Sequence, residues 1–372
     1  MNNQELIFSL ALAKMPGIGD ISAKKLVEYF GNVKDIFTES YPNLLKIPGI
    51  GTRMATYIID HRNLEIARKE LDFIHKHDIK VSFYLDGDYP KRLKECPDSP
   101  ILIFYKGDIH ATAGKIISIV GTRNITRRGK EITSRIISRL AENHPDVVVV
   151  SGLAYGVDIT AHKAALKFDI PTIGVLAHGL NTLYPSVHLQ VARDMLGKGA
   201  LITDFTSEVI PDRNNFLKRN RIIAGYSDAT LVIESGIKGG GMVTADIAAS
   251  YNRDVFAVPG FPGEKYSEGC NMLIKSQKAY LVESAEDIEY FMDWRGDSRP
   301  EIKQITIPFS LSPIESEIMD NLIKNNQMSV EELSGITGKP VCHISPVLLR
   351  LEFSGLIAKL PGNIYRLLTW KK

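Results

Sequence analysis

At 372 residues, with 44% hydrophobic and 24% charged residues and a formal net charge of +2, the chain has the balance of a soluble protein of two or three domains. So neutral a total excludes an evenly basic surface, and any polyanion has to meet cations that are concentrated locally. Cys96, Cys270 and Cys342 stand singly and the nine histidines include no HExxH, so neither a disulfide framework nor a metal site is expected, and a reducing cytoplasm fits.

The opening stretch MNNQELIFSLALAKM carries an acid and no leading basic region, so no signal peptide is expected. No apolar run approaches the ~18 residues of a membrane span, so no membrane partner is expected. The first organised segment, 1–78, repeats itself. Met15-Pro16-Gly17-Ile18-Gly19 and Ile47-Pro48-Gly49-Ile50-Gly51 each open a helical pattern. Glycines in such turns leave backbone N–H groups facing outward at a helix start, where they can hold a phosphate. The pair resembles helix-hairpin-helix motifs, which contact duplex backbone without reading sequence. Gly17, Gly19, Gly49 and Gly51 are the candidate contacts, although a compact helical domain with no DNA contact reads equally well.

From residue 79 the pattern alternates. Strand candidates are Ile79–Leu85, Ile101–Tyr105, Ile116–Val120, Val147–Val150, Thr172–Leu176, Ala200–Thr203, Ala229–Ile233, Val255–Val258 and Ala279–Val282, with helical patterns between most of them. Runs such as VVVV and IISIV predict strands buried on both faces. The alternation predicts a Rossmann-like, doubly wound α/β domain with a mostly parallel sheet over 79–294. The polar stretch 295–309 reads as a linker. From 310 to 372 the order is three helices and a hairpin: Ser312–Asn325, a capping box at Ser329–Glu332, a helix opening near Pro340, and strands around Pro361-Gly362-Asn363. That order predicts a winged helix-turn-helix. Its third helix carries few charges (Lys339, His343, Arg350), which favours protein contact or regulation over base reading.

In a doubly wound sheet, ligands sit beyond the carboxyl ends of the strands. The first core strand is followed by Gly121-Thr122-Arg123-Asn124, with neither a GxGxxG fingerprint nor an acid closing the second strand, so NAD is disfavoured and no cofactor is expected. A helix start beside a guanidinium is an anion site instead. A second concentration, Asn215-Phe216-Leu217-Lys218-Arg219-Asn220-Arg221, sets three cations beside an aromatic ring, the combination that holds single strands without reading them. A third loop, Gly239-Gly240-Gly241 followed by Thr244, lets a ligand backbone approach a helix start, but lacks the Gly-Lys-Ser/Thr ending of an ATP-hydrolysing loop. Ser151, Asp158 and His162 invite a triad, yet no GxSxG elbow accompanies them. Asp158 and His162, four apart on one predicted helix, read as a surface pair.

The strings IVGTRNIT, VVSGLAYGVDITAHKAAL, LAHGLNTLYP, NNFLKRNRIIAGYSDATLVIESGIKGGGMVTADIA and FAVPGFPGEKYSEGCNMLIK resemble, in this order, the signature of the DprA/Smf family. The hairpin repeat, the YPKRLKECPDSPILIFYKGD segment and the C-terminal module match that family's architecture as well. The resemblance implies a non-enzymatic, cytoplasmic protein that binds single-stranded DNA and loads the RecA recombinase on it in natural transformation or recombination. It also implies a homodimer through the Rossmann-like domain. By position it implies that Gly121, Thr122 and Arg123 line the DNA pocket, with Asn215, Phe216, Lys218, Arg219 and Arg221 beside them and Gly239, Gly240, Gly241 and Thr244 as the third loop. This chain departs from the pattern at Tyr155, where the family has Arg, at His188, where it commonly has Asn, and at Gly239–Gly241, usually Ser-Gly-Ser. The competing reading is a nucleoside-monophosphate phosphoribohydrolase, which also uses a Gly-rich phosphate loop. That class places a catalytic Glu in a PGGxGTxxE string, whereas GGGMVTADIA offers only Asp246.

Overall fold

The computed structural model describes residues 2–60, 62–109, 114–294, 311–325, 327–354, 356–360 and 362–367. The predicted linker 295–309 lies outside them. The chain divides into two compact units, Met1–Arg295 and Gly296–Lys372.

The first unit begins with helices α1 (Asn3–Ala13), α2 (Asp20–Phe30), α3 (Val33–Thr38), α4 (Tyr41–Leu44), α5 (Thr52–Ile59) and α6 (Arg62–Lys76). Both hairpin turns need glycine: Gly17 and Gly49 have φ of +82° and +91°, which a side chain rarely adopts. Gly19 and Gly51 then cap α2 and α5.

Nine strands follow: β1 (Lys80–Phe83), β2 (Leu102–Gly107), β3 (Ile116–Val120), β4 (Val148–Ser151), β5 (Thr172–Val175), β6 (Ala200–Thr203), β7 (Ala229–Val232), β8 (Asp254–Ala257) and β9 (Tyr280–Leu281). They lie in the order β1-β2-β6-β5-β4-β3-β7-β8-β9. Every pair from β6 to β9 is parallel, and β1 and β2 are added antiparallel at one edge. The helices are α7 (Lys91–Lys94), α8 (Arg127–Asn143), α9 (Val157–Lys167), α10 (Leu189–Met195), α11 (Arg213–Tyr226), α12 (Gly240–Ser250), α13 (Glu268–Lys275) and α14 (Ala285–Phe291).

The two-residue strand period sorts the core. Ile116, Val120, Val148, Val150, Val255 and Ala257 point to the face covered by α11, α12 and α13. Their neighbours Ile117, Ile119, Val147, Val149 and Phe256 point to the face covered by α8, α9 and α14. Strand β2 divides its residues the same way: Ile103 and Tyr105 join the first of these cores, whereas Leu102 and Phe104 join the core of the helices α1–α6. The helical layer and the sheet therefore share a strand.

The second unit contains α15 (Pro313–Asn325), β10 (Gln327–Ser329), α16 (Val330–Thr337), α17 (Val341–Phe353), β11 (Ile357–Leu360) and β12 (Ile364–Leu367), around Ile318, Leu322, Leu333, Ile344, Leu348 and Leu351. The Ser329–Glu332 capping box forms as its sequence predicts. Strand β10 is an addition to the expected order: three residues show no alternation to read, and it exists because it pairs with β12.

Candidate nucleic-acid interface

The strand order reverses between β3 and β7, so a crevice opens at their carboxyl ends. Its rim is a set of interlocked loops. Thr122 N–H donates to the Glu234 carbonyl at 2.7 Å, and Val157 N–H donates to the Thr122 carbonyl at 3.1 Å. A Cβ on Gly121 would stand 2.5 Å from Val157 Cγ2, and one on Gly156, whose φ is +80°, would stand 2.1 Å from the Thr122 oxygen. These glycines are therefore what lets three loops close on one another. The Glu234 carboxylate accepts from Thr126 N–H at 2.8 Å and from the Thr126 hydroxyl, and Thr126 Oγ1 in turn accepts from Gly129 N–H at 3.0 Å. The start of α8 is thereby fixed to the end of β7.

The third loop explains the departure at Gly239–Gly241. A Cβ at Gly239 would meet Ser235 Oγ at 2.3 Å, and one at Gly241 would meet Gly121 Cα at 3.2 Å, whereas Gly240 has open space. In this chain a side chain at Gly239 would collide with Ser235, and one at Gly241 would press tightly on the first loop. Thr244 is buried and its hydroxyl donates to the Gly240 carbonyl at 3.1 Å.

The crevice has a volume of about 960 Å³, and Arg123, Arg213, Phe216, Arg219, Lys238 and Lys265 are among its lining residues, along with Asp158, Asp212 and Glu268. Phe216 is central. The Arg123 guanidinium lies 5.1 Å from its ring centroid, that of Arg219 5.9 Å, and the Tyr184 ring meets it edge-on at 5.9 Å. Gly121, Thr122, Arg123, Phe216, Arg219, Gly239, Gly240, Gly241 and Thr244 of the predicted site all line this space. Asn215 and Lys218 do not: Asn215 Nδ2 donates to the Ile210 carbonyl at 3.3 Å, and Lys218 is exposed on α11.

Two of the predicted DNA-contacting arginines have other duties. Arg219 is 4% exposed and donates to the Gly152 carbonyl at 2.8 Å and to that of Val175, facing the buried Asp158. Burial, helped by the charge of Arg123, brings its pKa down to about 10, so it is a charged floor rather than a reaching side chain. Arg221 lies away from the crevice. It binds Asp20 at 3.0 Å, Asp204, and the Asp98 carbonyl, tying the start of α2 to the end of β6. A row of cations is the same string of letters whether it faces solvent or buried acids.

Asp158 and His162 also differ from expectation: both are buried, and they bond to other groups. Burial raises the Asp158 pKa, against Arg219, the backbone N–H groups of Ala154 and Gly152, and Ser151. His162 Nδ1 lies 2.7 Å from Thr172 Oγ1, and that hydroxyl donates to the Val149 carbonyl, so Nδ1 carries the proton. Burial, with His188 and Arg219 nearby, lowers the His162 pKa to about 3. The alternation that hides these groups comes from α9 packing on the sheet, which spacing alone does not reveal. Arg213, Lys238, Lys265 and Tyr184 were not legible as site residues because the start of α11 and three separate loops bring them together.

Residues 80–293 match the family model described as DNA recombination-mediator protein A, 9–63 a SAM-like helix-hairpin-helix tandem, and 306–363 a DprA winged helix domain. The Escherichia coli protein Smf is 36% identical, over 75% of each chain. The DNA processing protein DprA of Bacillus subtilis is 39% identical over 54% of this chain and 67% of its own. The X-ray structure of DNA processing protein A from Streptococcus pneumoniae has a TM-score of 0.67 at 30% identity, covering 76% of this chain and 97% of that one. A structure of the Helicobacter pylori DNA processing protein A, described for its single-stranded DNA binding mode, has a TM-score of 0.52 at 28% identity over 58% and 96% of the two chains.

Proposed function

Because this chain belongs to the DprA/Smf family of DNA-processing proteins, we propose that it holds single-stranded DNA in the crevice between β3 and β7 and delivers that DNA to the RecA recombinase. The observation that carries this reading is Phe216 with the guanidinium groups of Arg123 and Arg219 5.1 and 5.9 Å from its ring centroid. An aromatic face flanked by guanidinium groups takes an unpaired base by stacking while cations take its phosphates, and neither contact reads sequence. Arg123, Arg213, Lys238 and Lys265 supply the phosphate contacts. The N–H groups of Gly240 and Gly241 at the start of α12 receive a further phosphate oxygen. Asn215 and Lys218 meet the strand where it leaves the crevice along α11. Arg219 fixes the floor, and Arg221 holds the helical layer in place rather than touching DNA.

A homodimer through the Rossmann-like domain would set two crevices on one strand, protecting incoming DNA before recombination during natural transformation. The segments 1–78, 79–294 and 310–372 serve as hairpin, DNA-holding and winged-helix modules. In the first, the second hairpin turn suits duplex backbone better. Asp20 follows Gly19 and its carboxylate already accepts from Ile101 N–H, whereas Thr52 and Arg53 follow Gly51. The hydrolase reading draws no support from Asp246, which pairs with Lys278 at 2.8 Å and does not line the crevice.

The test is the affinity for a fluorescent single-stranded oligonucleotide across a salt series, with matched duplex as competitor. Single-strand preference with log affinity falling against log salt by about 0.7 per neutralised phosphate is expected. Arg123→Ala should lower that slope by about one contact, and Phe216→Ala should cost about 1–3 kcal/mol with the slope kept. Unchanged binding in both variants overturns the placement.

A further inference from the structure

A second groove meets the crevice at Arg123, on the other face of the sheet. It lies between α8 and α9, has a volume of about 490 Å³, and is lined by Arg123, Lys130, Tyr155, Lys163 and Lys167 with small and apolar residues between them. Lys163 and Lys167 are one helical turn apart and so stand on one face of α9, opposite Lys130 on α8. Among the described residues no acid lines the groove. The neighbouring surface of α8 is different: there Arg127 pairs with Glu131 and Arg139 with Glu142. A solvated helix face interleaves its charges as that surface does. The groove carries one sign only, and Lys130 and Lys163 make no ion pair among the described residues.

Tyr155 stands where groove and crevice join. The residue is 46% exposed, yet its ring is held edge-on against His188 at 5.1 Å, and His188 Nδ1 donates to the Leu153 carbonyl at 2.8 Å. An exposed ring with a fixed orientation is a stacking platform. From the cap of α9 to Lys167 the groove runs for about 16 Å, room for about five nucleotides at the duplex rise of about 3.4 Å each and for fewer where the strand is extended.

We infer that single-stranded DNA leaving the crevice passes over the rim of the sheet at Arg123, stacks a base on Tyr155, and continues along the groove with its phosphates on Lys130, Lys163 and Lys167. This rests on the crevice reading and adds a second segment to it. The basis is charge complementarity along a continuous path, and the occupant is the same strand.

Length dependence separates the two. Oligonucleotides of about 6 and about 20 nucleotides, within and beyond the span of one such platform, are titrated against the wild-type chain, Lys163→Glu/Lys167→Glu and Tyr155→Ala. The expected result is a loss of about tenfold or more for the longer strand and about twofold or less for the shorter one, with the salt slope for the longer strand reduced by about 0.7 per lysine removed. Tyr155→Phe should restore the longer strand's affinity, because stacking needs only the ring. Equal affinity of wild type and both variants for the longer strand overturns the groove while leaving the crevice intact. Failure of the wild type to bind either length overturns both.

Discussion

At the scale of single residues, the site depends on buried groups. Arg219 sets its charge against the buried Asp158 on the crevice floor and lies beside the ring of Phe216, so it shapes the site from below. His162 lies in the same layer, neutral and with Nε2 unpartnered among the described residues. Its folded pKa of about 3 is below the 6.5 of an unfolded chain, so between those values the unfolded state binds the extra proton. Stability from this residue is complete above about pH 6.5 and is lost as the pH falls toward 3. Relative to His162→Gln, which does not titrate, the wild type should lose about 1.4 kcal/mol per pH unit across that window. Urea unfolding at a series of pH values reads this directly, and parallel curves for the two proteins would refute it.

At the scale of elements, the strands were legible because β-branched runs buried on both faces leave few alternatives. β3 and β6 occupy the predicted residues, and the others differ only at their ends. The glycine loops were legible too, as places where backbone has to come close. What spacing left open was direction: α11 presents Phe216 to the crevice and turns Arg221 toward Asp20 and Asp204, one turn and a half apart on the same helix. The loops also rank themselves. Gly156→Ala places a side chain at φ +80° and against the Thr122 oxygen, whereas Gly240 faces open space. The first should cost at least about 1–3 kcal/mol of stability from backbone strain and displace the Arg123 loop, reducing oligonucleotide affinity. Gly240→Ala should fold with near wild-type stability. Thermal melts of the two variants decide the matter, and equal melting temperatures would sink it.

At the scale of the whole molecule, the two units have separate cores, one around Ile318, Leu333 and Leu348 and the others built on the nine-stranded sheet. Separate cores unfold separately. Calorimetry should resolve two transitions, with ligand-dependent stabilisation by oligonucleotide confined to that of the larger unit; a single transition would contradict the division. Inside the larger unit the opposite holds. Phe83, Ile101, Leu102 and Phe104 are buried against the helices α1–α6, and Arg221 reaches across to Asp20. A gene fragment begun at residue 79 would thus expose a wet apolar wall on its first two strands and strand the Asp204 carboxylate's cation without its second acid. It should come out of cells in inclusion bodies, while the fragment 1–295 stays in the lysate. The practical seam of this protein lies near residue 295, and the boundary at 78, so plain in the letters, runs through the middle of a core.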